Sequence, residues 1–206
     1  MTAKKARDTK DAREAKGQAT RGRIVKAASR LFARSGYDSV SIEAVLTRSG
    51  ISRGALYHHF DGKASLFEAV LEAMEGEIAQ DIRAASRGMA DPVEALRVGC
   101  AAWVDLSRSP AIRQIVLIDA PAVLGWAKWR EIDARFGFGL LKASLNNAAS
   151  SGRIAREKVE VLSHILLAAL MEVVLVIARA ADPDAEADLA KRVIGELIDR
   201  LVEPGA

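Results

Sequence analysis

The sequence predicts an all-α protein of about nine helices, arranged as a three-helix N-terminal domain and a larger helical C-terminal domain. Two observations support this prediction. Apolar residues recur at helical spacing along almost the whole chain, and no stretch shows the alternation that is typical of a strand. Serine, aspartate and proline stand where helices are expected to begin, and glycine stands where they are expected to end.

Four helices are predicted in the N-terminal part of the chain. Their expected spans are about residues 20–35, 41–48, 52–59 and 63–86. Ser41 and Ser52 stand at N-cap positions of the two short helices, and Gly36 is expected as a left-handed C-cap of the first. The fourth helix is too long for a small domain alone, so we expect it to connect two domains.

Five more helices are predicted in the C-terminal part. Asp91 and Pro92 supply an N-cap and a first-turn proline for the fifth helix, and Pro110 opens the sixth. The remaining three are expected over residues 126–150, over residues 161–178 and from Asp182 onward.

The most apolar stretch, residues 161–178, is long enough to cross a membrane. His164 and Glu172 argue against that interpretation, because an ionisable group at the centre of a bilayer is costly. We therefore expect a helix that is buried on nearly all sides of a soluble protein, and no membrane partner.

Charge is distributed unevenly along the chain. Residues 1–63 contain 14 Lys and Arg against 6 Asp and Glu, whereas residues 64–206 contain 16 against 21. These net charges of +8 and −5 agree with the overall value of +3. A polyanionic partner is therefore expected for the N-terminal segment only.

Cysteine content and the N-terminus bear on the compartment. The single cysteine, Cys100, excludes an intrachain disulfide, fits a reducing compartment and is expected as a small core residue. The first residues are charged and lack the apolar run of a signal peptide. We therefore expect a cytoplasmic protein.

The segment SGISRGALYHHF, residues 49–60, is the most informative about function. Two short helices joined by a tight turn predict a helix-turn-helix, whose second helix enters the major groove of DNA. The helical period places Leu56 in the core and projects Arg53, Tyr57 and His58 outward. Arginine can bond two acceptors on guanine, and tyrosine and histidine can bond phosphates or base edges.

Residues 20–66 as a whole resemble the DNA-binding domain of the TetR family of bacterial repressors. About fifteen positions agree in order and spacing, among them Ile24, Phe32, Gly36, Tyr37, Gly50, Gly54, Tyr57, Phe60 and Lys63. Residues 1–19 are expected as a basic extension from their charge. The resemblance implies a DNA-binding domain over 20–66, and an effector-binding and dimerisation domain over 67–206. It also implies a homodimeric repressor that binds palindromic double-stranded operator DNA and is released by a small effector.

The resemblance further assigns roles to residues of the DNA-binding domain. Phosphate contacts fall to Ser41, Ser52, Tyr57 and Lys63. Base edges would face Arg53, Ala55 and His58.

The C-terminal domain offers candidates for an effector site and for a dimer interface. The effector candidates are Trp103, Trp126, Trp129, Phe136, His164 and Glu172, which predict a largely apolar ligand. Each aromatic residue is also a plausible core residue, and Glu172 needs either an arginine or a cationic ligand group. The predicted four-helix dimer seam contains Leu162, Leu166, Ala169, Val173, Leu189, Val193, Leu197 and Leu201.

Other classes of function have less support. Ser163 and His164 point about 100° apart on a helix, so they cannot form a nucleophile–base pair, and we expect no enzyme. Two adjacent histidines without a nearby cysteine do not make a metal site, and no cofactor is expected. The alternative that stays open is a DNA-binding regulator or architectural protein without an effector.

Overall fold

The structure, a computed structural model, describes the backbone of residues 2–202 and the side chains of residues 13–202. Residue 1 of the predicted extension and residues 203–206 of the predicted C-terminal domain lie outside the described residues. The chain divides into two compact units. The first contains residues 1–73 and 114–125, and the second contains residues 74–113 and 126–206. Over the described residues the chain is helical without strands, which confirms the predicted fold class.

The first unit is built from three helices, the start of a fourth and the separate segment 114–125. The helices are α1 (Thr2–Ser35), α2 (Ile42–Ser49), α3 (Arg53–His59) and the first part of α4 (Lys63–Ala85). Their core is a group of aromatic rings in mutual contact, in which Phe32 and Phe67 pack edge to face with centroids 5.2 Å apart. Tyr37 packs against both rings.

The predicted caps of the helix-turn-helix are present. The Ser41 hydroxyl accepts a hydrogen bond from the Ala44 N–H at 3.1 Å and thereby caps α2. Gly50 ends α2 with φ of 64°, a left-handed conformation that a residue with a side chain adopts only with strain. The N–H of Gly50 donates to the Leu46 carbonyl, and the chain turns directly into α3. The short helices and the turn between them therefore form as predicted.

The second unit contains the rest of α4 and the helical C-terminal part of the chain. Its helices are α5 (Pro92–Ser107), α6 (Pro110–Ile112), α8 (Trp126–Arg135), α9 (Gly137–Ser150), α10 (Val159–Arg179) and α11 (Pro183–Leu201). Between α6 and α8, a π-helical stretch (Arg113–Asp119) and α7 (Ala120–Leu124) carry the chain through the segment 114–125 of the first unit. A short 3₁₀ turn (Arg156–Lys158) precedes α10.

Helices α5, α9, α10 and α11 pack around one hydrophobic core. Leu96, Leu145, Leu166 and Ile198 are among its fully or almost fully buried side chains. Cys100 lies in the same core, as predicted, and burial raises the pKa of its thiol to about 12. The thiol therefore stays protonated at neutral pH, which fits a packing role.

Several predicted elements differ from the structure. Helix α1 begins at Thr2 rather than near residue 20, because the charged, alanine-containing extension continues the helix and no proline interrupts it. The predicted helix over 126–150 is divided into α8 and α9 at Phe136, whose ψ of −91° is not helical. The predicted helix that begins at Pro110 is broken by the π-helical stretch. Segment 114–125 also belongs to the first unit, which no local pattern indicated.

Helix α10 is less buried than expected. Residues 156–179 are long and apolar enough to cross a membrane, with mean hydropathy of 2.5 over the most apolar window. Only 33% of that window is buried within the chain, so the prediction of burial on nearly all sides is wrong. Val161, Ile165 and Val176 are each about half exposed and form an apolar face without a covering element among the described residues.

Candidate functional site

Helix α3 presents one buried and one exposed face. Leu56 is fully buried, and Phe60 closes the helix in the core with 3% of its surface exposed. On the other face Arg53, Tyr57 and His58 are exposed, and Tyr57 keeps 47% of its surface accessible. Exposed tyrosine and histidine rings beside an arginine have no packing role, so this face is free to contact a partner.

The guanidinium of Arg53 is engaged within the unit. Its Nη2 atom donates to Glu43 Oε1 at 2.5 Å, from α3 to α2. The pKa of the Glu43 carboxyl is lowered, first by a hydrogen bond to its own backbone and next by the bond from Arg53. Both side chains are largely exposed, so the pair exchanges readily with solvent or with another acceptor.

The remaining DNA-binding candidates surround α3. Ser41 and Ser52 are exposed N-caps, and the Ser52 hydroxyl accepts the Ala55 N–H at 3.3 Å. Ala55 is half buried. Lys63 starts α4 with its ammonium 4.0 Å from the centre of the Tyr37 ring, and it donates to a backbone carbonyl at 3.4 Å. Two helix N-termini, each with an exposed hydroxyl, therefore accompany the exposed face of α3, and free N–H groups at such termini bind phosphates.

The separate segment of the first unit is held by a buried carboxylate that the sequence analysis missed. Asp119, 9% exposed, accepts the backbone N–H of Tyr37 at 2.8 Å and the amide of Gln114 at 2.8 Å. Gly36 lies beside this contact, because a Cβ there would stand 3.3 Å from the Gln114 amide nitrogen. The connection between α1 and α2 is therefore tied to the segment 114–125.

The predicted effector residues fall into separate places in the second unit. Trp126 and Trp129 meet with ring centroids 4.8 Å apart, and Trp126 is 66% exposed. His164 is exposed and stacks on Phe138 at 4.7 Å. Phe136, half buried, lies 3.7 Å from where a Cβ on Gly76 would stand.

Trp103 and Glu172, two further predicted effector residues, lie away from these aromatic contacts. Trp103 packs against the core of the helical bundle formed by α5, α9, α10 and α11. Glu172 is exposed on α10, so the expectation that it needs a buried partner is not met. An apolar sequence around an acid indicated burial, but α10 turns that side outward.

A cavity of about 190 Å³ lies elsewhere in the second unit. Its lining residues are Ser107, Arg108, Arg113, Val174, Ile177, Ala178, Pro183 and Asp184. Its volume is below the range of about 300–1,000 Å³ that is typical of small-molecule sites. None of the predicted effector residues lines it.

Two buried carboxylates that both lie near Gly137 were not recognised in the sequence. Glu75 on α4 is 4% exposed and Asp133 on α8 is 7% exposed. Burial, with the negative charge of Asp133 as a smaller cause, raises the pKa of Glu75 to about 8. The pKa of Asp133 is raised by burial and partly lowered again by Arg130. Glu75 falls on the apolar stripe of α4, four residues after Leu71, which is the signal that could have revealed it.

The predicted dimer residues are only partly accessible. On α10, Leu162 and Leu166 are buried in the core of their own chain, which corrects their assignment to the seam. Ala169 and Val173 are half buried, and Val173 packs against that same core. On α11, Leu189, Val193 and Leu197 are exposed on one stripe. Leu201 is not, because it packs against the core as well.

Among residues 13–202 there is no group of three His, Cys, Asp or Glu that could hold a metal ion.

Comparison with known families matches both parts of the chain. Residues 24–70 match the family described as bacterial regulatory proteins, tetR family. Residues 93–201 match a tetracyclin repressor-like C-terminal domain. The two matches cover more than half of the chain, and both families are transcriptional regulators, not enzymes.

Individual relatives extend this comparison. The chain is 33% identical over 85 residues to the transcriptional activator FasR of Mycolicibacterium smegmatis. The aligned residues are 41% of this chain and 39% of that protein. The alignments span about two fifths of the curated relatives. A TetR-family regulator from Pectobacterium atrosepticum has 28% identity and a TM-score of 0.77, over 93% of this chain and 98% of that one.

A second solved structure shows the fold alone. RolR in complex with the ligand resorcinol has 19% identity and a TM-score of 0.67, over 94% of this chain and all of that chain.

Proposed function

Because this chain belongs to the TetR family of transcriptional regulators, we propose that it binds palindromic operator DNA as a homodimer and represses transcription until a small effector releases it. The observation that carries the proposal is the exposed face of α3. An arginine, a tyrosine and a histidine project from a short helix whose opposite side is fixed in the core. That is the geometry in which a recognition helix reads the major groove.

The groups around α3 support separate roles in DNA binding. Arg53 and His58 are placed to read base edges, with half-buried Ala55 between them along the helix. Ser41 and Ser52 stand at helix N-termini, where N–H groups and hydroxyls hold phosphates. Tyr57 adds a phosphate contact, and so does Lys63 from the start of α4. The net charge of +8 over residues 1–63 supplies the long-range attraction.

An exposed apolar face on the last two helices supports the dimer. Val161, Ile165 and Val176 of α10 and Leu189, Val193 and Leu197 of α11 are all at least 36% exposed. Exposed apolar side chains grouped on neighbouring helices are typical of an interface between subunits. Two copies of α10 and α11 related by a twofold axis make a four-helix seam, in which each chain covers the other.

The aromatic group of the second unit supports a small effector. The rings of Trp126, Trp129 and Phe138 each lie within about 6 Å of the Arg130 guanidinium, which bonds the buried Asp133. The similar fold of RolR was solved with resorcinol, a small aromatic compound. We therefore propose a small effector with a largely apolar body for this chain, and a cytoplasmic location for a protein that must reach DNA.

The proposal is tested by selecting DNA from a random pool with the purified protein and measuring the affinity of the enriched sequence. A palindromic sequence is expected, bound by two chains. Arg53→Ala should lose discrimination at one base position in each half-site, a change of about 1–3 kcal/mol. Arg87→Ala removes an exposed positive charge from the second unit and is the matched control. Enrichment of no sequence, or equal effects of both variants, would contradict the assignment.

A further inference from the structure

The two buried acids of the second unit are not equivalent. Asp133 has structural partners, because Arg130 donates to its Oδ2 at 2.8 Å and the Phe138 N–H donates to its Oδ1 at 3.3 Å. No hydrogen-bond donor among the described residues reaches Glu75, although only 4% of its surface is exposed. A buried acid without a donor is costly to the fold, so Glu75 lacks a structural explanation.

A buried donor without an acceptor lies on the same helix face as Asp133. The indole N–H of Trp129 has no hydrogen-bond partner, and the side chain is 2% exposed. Trp129 and Asp133 are one helical turn apart on α8, which places their side chains side by side. The Trp129 N–H without an acceptor and the Glu75 carboxyl without a donor are groups that a bound molecule would satisfy.

The carboxylates converge on the backbone of Gly137, where α9 begins. A Cβ on this glycine would stand 2.8 Å from Asp133 Oδ1 and 3.8 Å from Glu75 Oε2. Both oxygens therefore surround one small region, yet no hydrogen bond joins the two carboxyl groups. A cation between them would contact both.

Arg130 already fills the aromatic side of this region. Its guanidinium carbon lies 5.9 Å from the centre of the Trp126 ring, 6.0 Å from that of Trp129 and 5.6 Å from that of Phe138. Its Nη1 atom also bonds Asp133. Several aromatic faces with a carboxylate form the arrangement that binds organic cations. The Arg130 side chain is 24% exposed, so it has a path to solvent.

We propose that this acidic–aromatic cluster, formed by Glu75, Trp126, Trp129, Arg130, Asp133 and Phe138, binds the cationic group of the effector, and that this cation displaces Arg130. The inference rests on the proposed function and specifies the chemistry of its effector. The effector is an ammonium or amidinium on a largely apolar body. Its cation pairs with Glu75 and Asp133, and its apolar part lies against the two indole rings.

The state of Glu75 before binding agrees with this role. Burial keeps the carboxyl neutral at neutral pH, because it raises the pKa of Glu75 to about 8. An arriving cation favours the ionised form, so the proton of Glu75 passes to solvent and the cation then lies between two carboxylates. Arg130 then leaves its carboxylate partner for water, where its charge is well solvated.

The experiment compares two probes of the same shape. The ammonium compound is 4-phenylbutylammonium, and the neutral compound is 4-phenylbutanol. Binding to the full chain is followed by tryptophan emission, because Trp126 and Trp129 lie in the cluster, and by titration calorimetry. Wild type is expected to bind the ammonium about tenfold more tightly than the alcohol, since an ionic hydrogen bond is stronger than a neutral one.

Three variants and a control separate this role from a structural one. Glu75→Gln should abolish the preference for the ammonium. Arg130→Gln removes the internal competitor and should strengthen ammonium binding several-fold, a gain that loss of packing would not produce. Glu77→Gln changes an exposed acid on the same helix and should behave as wild type. Gly137→Ala places a methyl group between the carboxylates and should weaken ammonium binding.

Three results would overturn the inference. The first is equal affinity for both probes. The second is no saturable ammonium binding up to about 10 mM, where even a weak fragment should bind. The third is a preference for the ammonium over the alcohol that survives in Glu75→Gln. If Glu75→Gln is insoluble, weaker ammonium binding by Arg130→Gln overturns it as well. Operator binding is measured in parallel. Release of DNA by a neutral aromatic compound without ammonium binding upholds the proposed function and contradicts this site. Ammonium binding by a chain that selects no operator upholds this site and contradicts the proposed function.

Discussion

Replacing Glu75 with glutamine is expected to stabilise the protein, and more so as pH rises. Burial, and to a lesser extent the charge of Asp133, raises the pKa of Glu75 from 4.5 to about 8. Between these values the folded chain retains a proton that the unfolded chain has lost. Stability from this group is therefore complete below pH 4.5, falls as pH increases, and is fully lost once pH has passed the folded pKa near 8.

The size of the effect follows from the two pKa values. Each step of one in pKa corresponds to 1.36 kcal/mol, so the whole difference is worth about 5 kcal/mol. Roughly 2 kcal/mol of that loss falls between pH 6 and pH 8. For a chain of 206 residues this is a change in Tm of about 4–8 °C. Glutamine has nearly the same shape and no charge to bury, so the variant should not show this loss.

The measurement is thermal unfolding by circular dichroism at pH 6, 7 and 8, for wild type, Glu75→Gln and Glu77→Gln. Asp133 and Arg130, the charged groups of the adjoining α8, are the same in all three proteins, so their own contribution largely cancels. The Tm of wild type and of Glu77→Gln should fall together, while the gap to Glu75→Gln widens toward pH 8. A gap that stays constant across this range would show that Glu75 does not titrate there and would refute the reasoning.

Three further predictions concern the DNA-binding unit and the seam. Val193→Glu places a charge on the exposed stripe of α11 and should give monomers in sedimentation, with loss of operator binding; an intact dimer would move the seam elsewhere. Glu43→Gln frees Arg53 from its carboxylate and should raise operator affinity by about two- to fivefold in a filter-binding assay, whereas unchanged affinity would mean that the pair does not compete with DNA. Asp119→Ala removes the acceptor of the Tyr37 N–H and should destabilise the chain by about 1–3 kcal/mol in urea unfolding, and a smaller loss would show that water replaces the bond.

The helix-turn-helix could be predicted closely because its signals are local. Ser41 and Ser52 cap helices through bonds to residues three positions later, and Gly50 is required at one left-handed position. Asp91 and Asp182 cap α5 and α11 by accepting from backbone N–H groups two or three positions later. Each of these features depends on a few neighbouring residues, and such interactions are fully present in the sequence.

The features that the sequence did not reveal depend on distant contacts. Helix α10 is apolar on nearly every side. Its periodicity therefore does not distinguish the buried side, which contains Leu166, from the exposed side, which contains Ile165. The predicted stripe was therefore displaced by one residue at several positions. Asp119 is buried because the Tyr37 N–H, 82 residues away in sequence, donates a hydrogen bond to it. No local sequence pattern predicts a partner at that distance.

The cost of burying Glu75 in the free protein is linked to the free energy of binding a cation at the proposed site. A ligand shifts a conformational equilibrium only by as much as it prefers one state over the other. Glu75 lacks a donor in the described state, so part of its burial cost is recovered only when a cation arrives. Glutamine would spare the protein that cost and would also remove the charge that distinguishes an ammonium from a neutral molecule of the same shape. The same residue therefore lowers the stability of the free protein and supplies the selectivity of the bound one. Glu75→Gln should accordingly be more stable than wild type and should no longer prefer the ammonium.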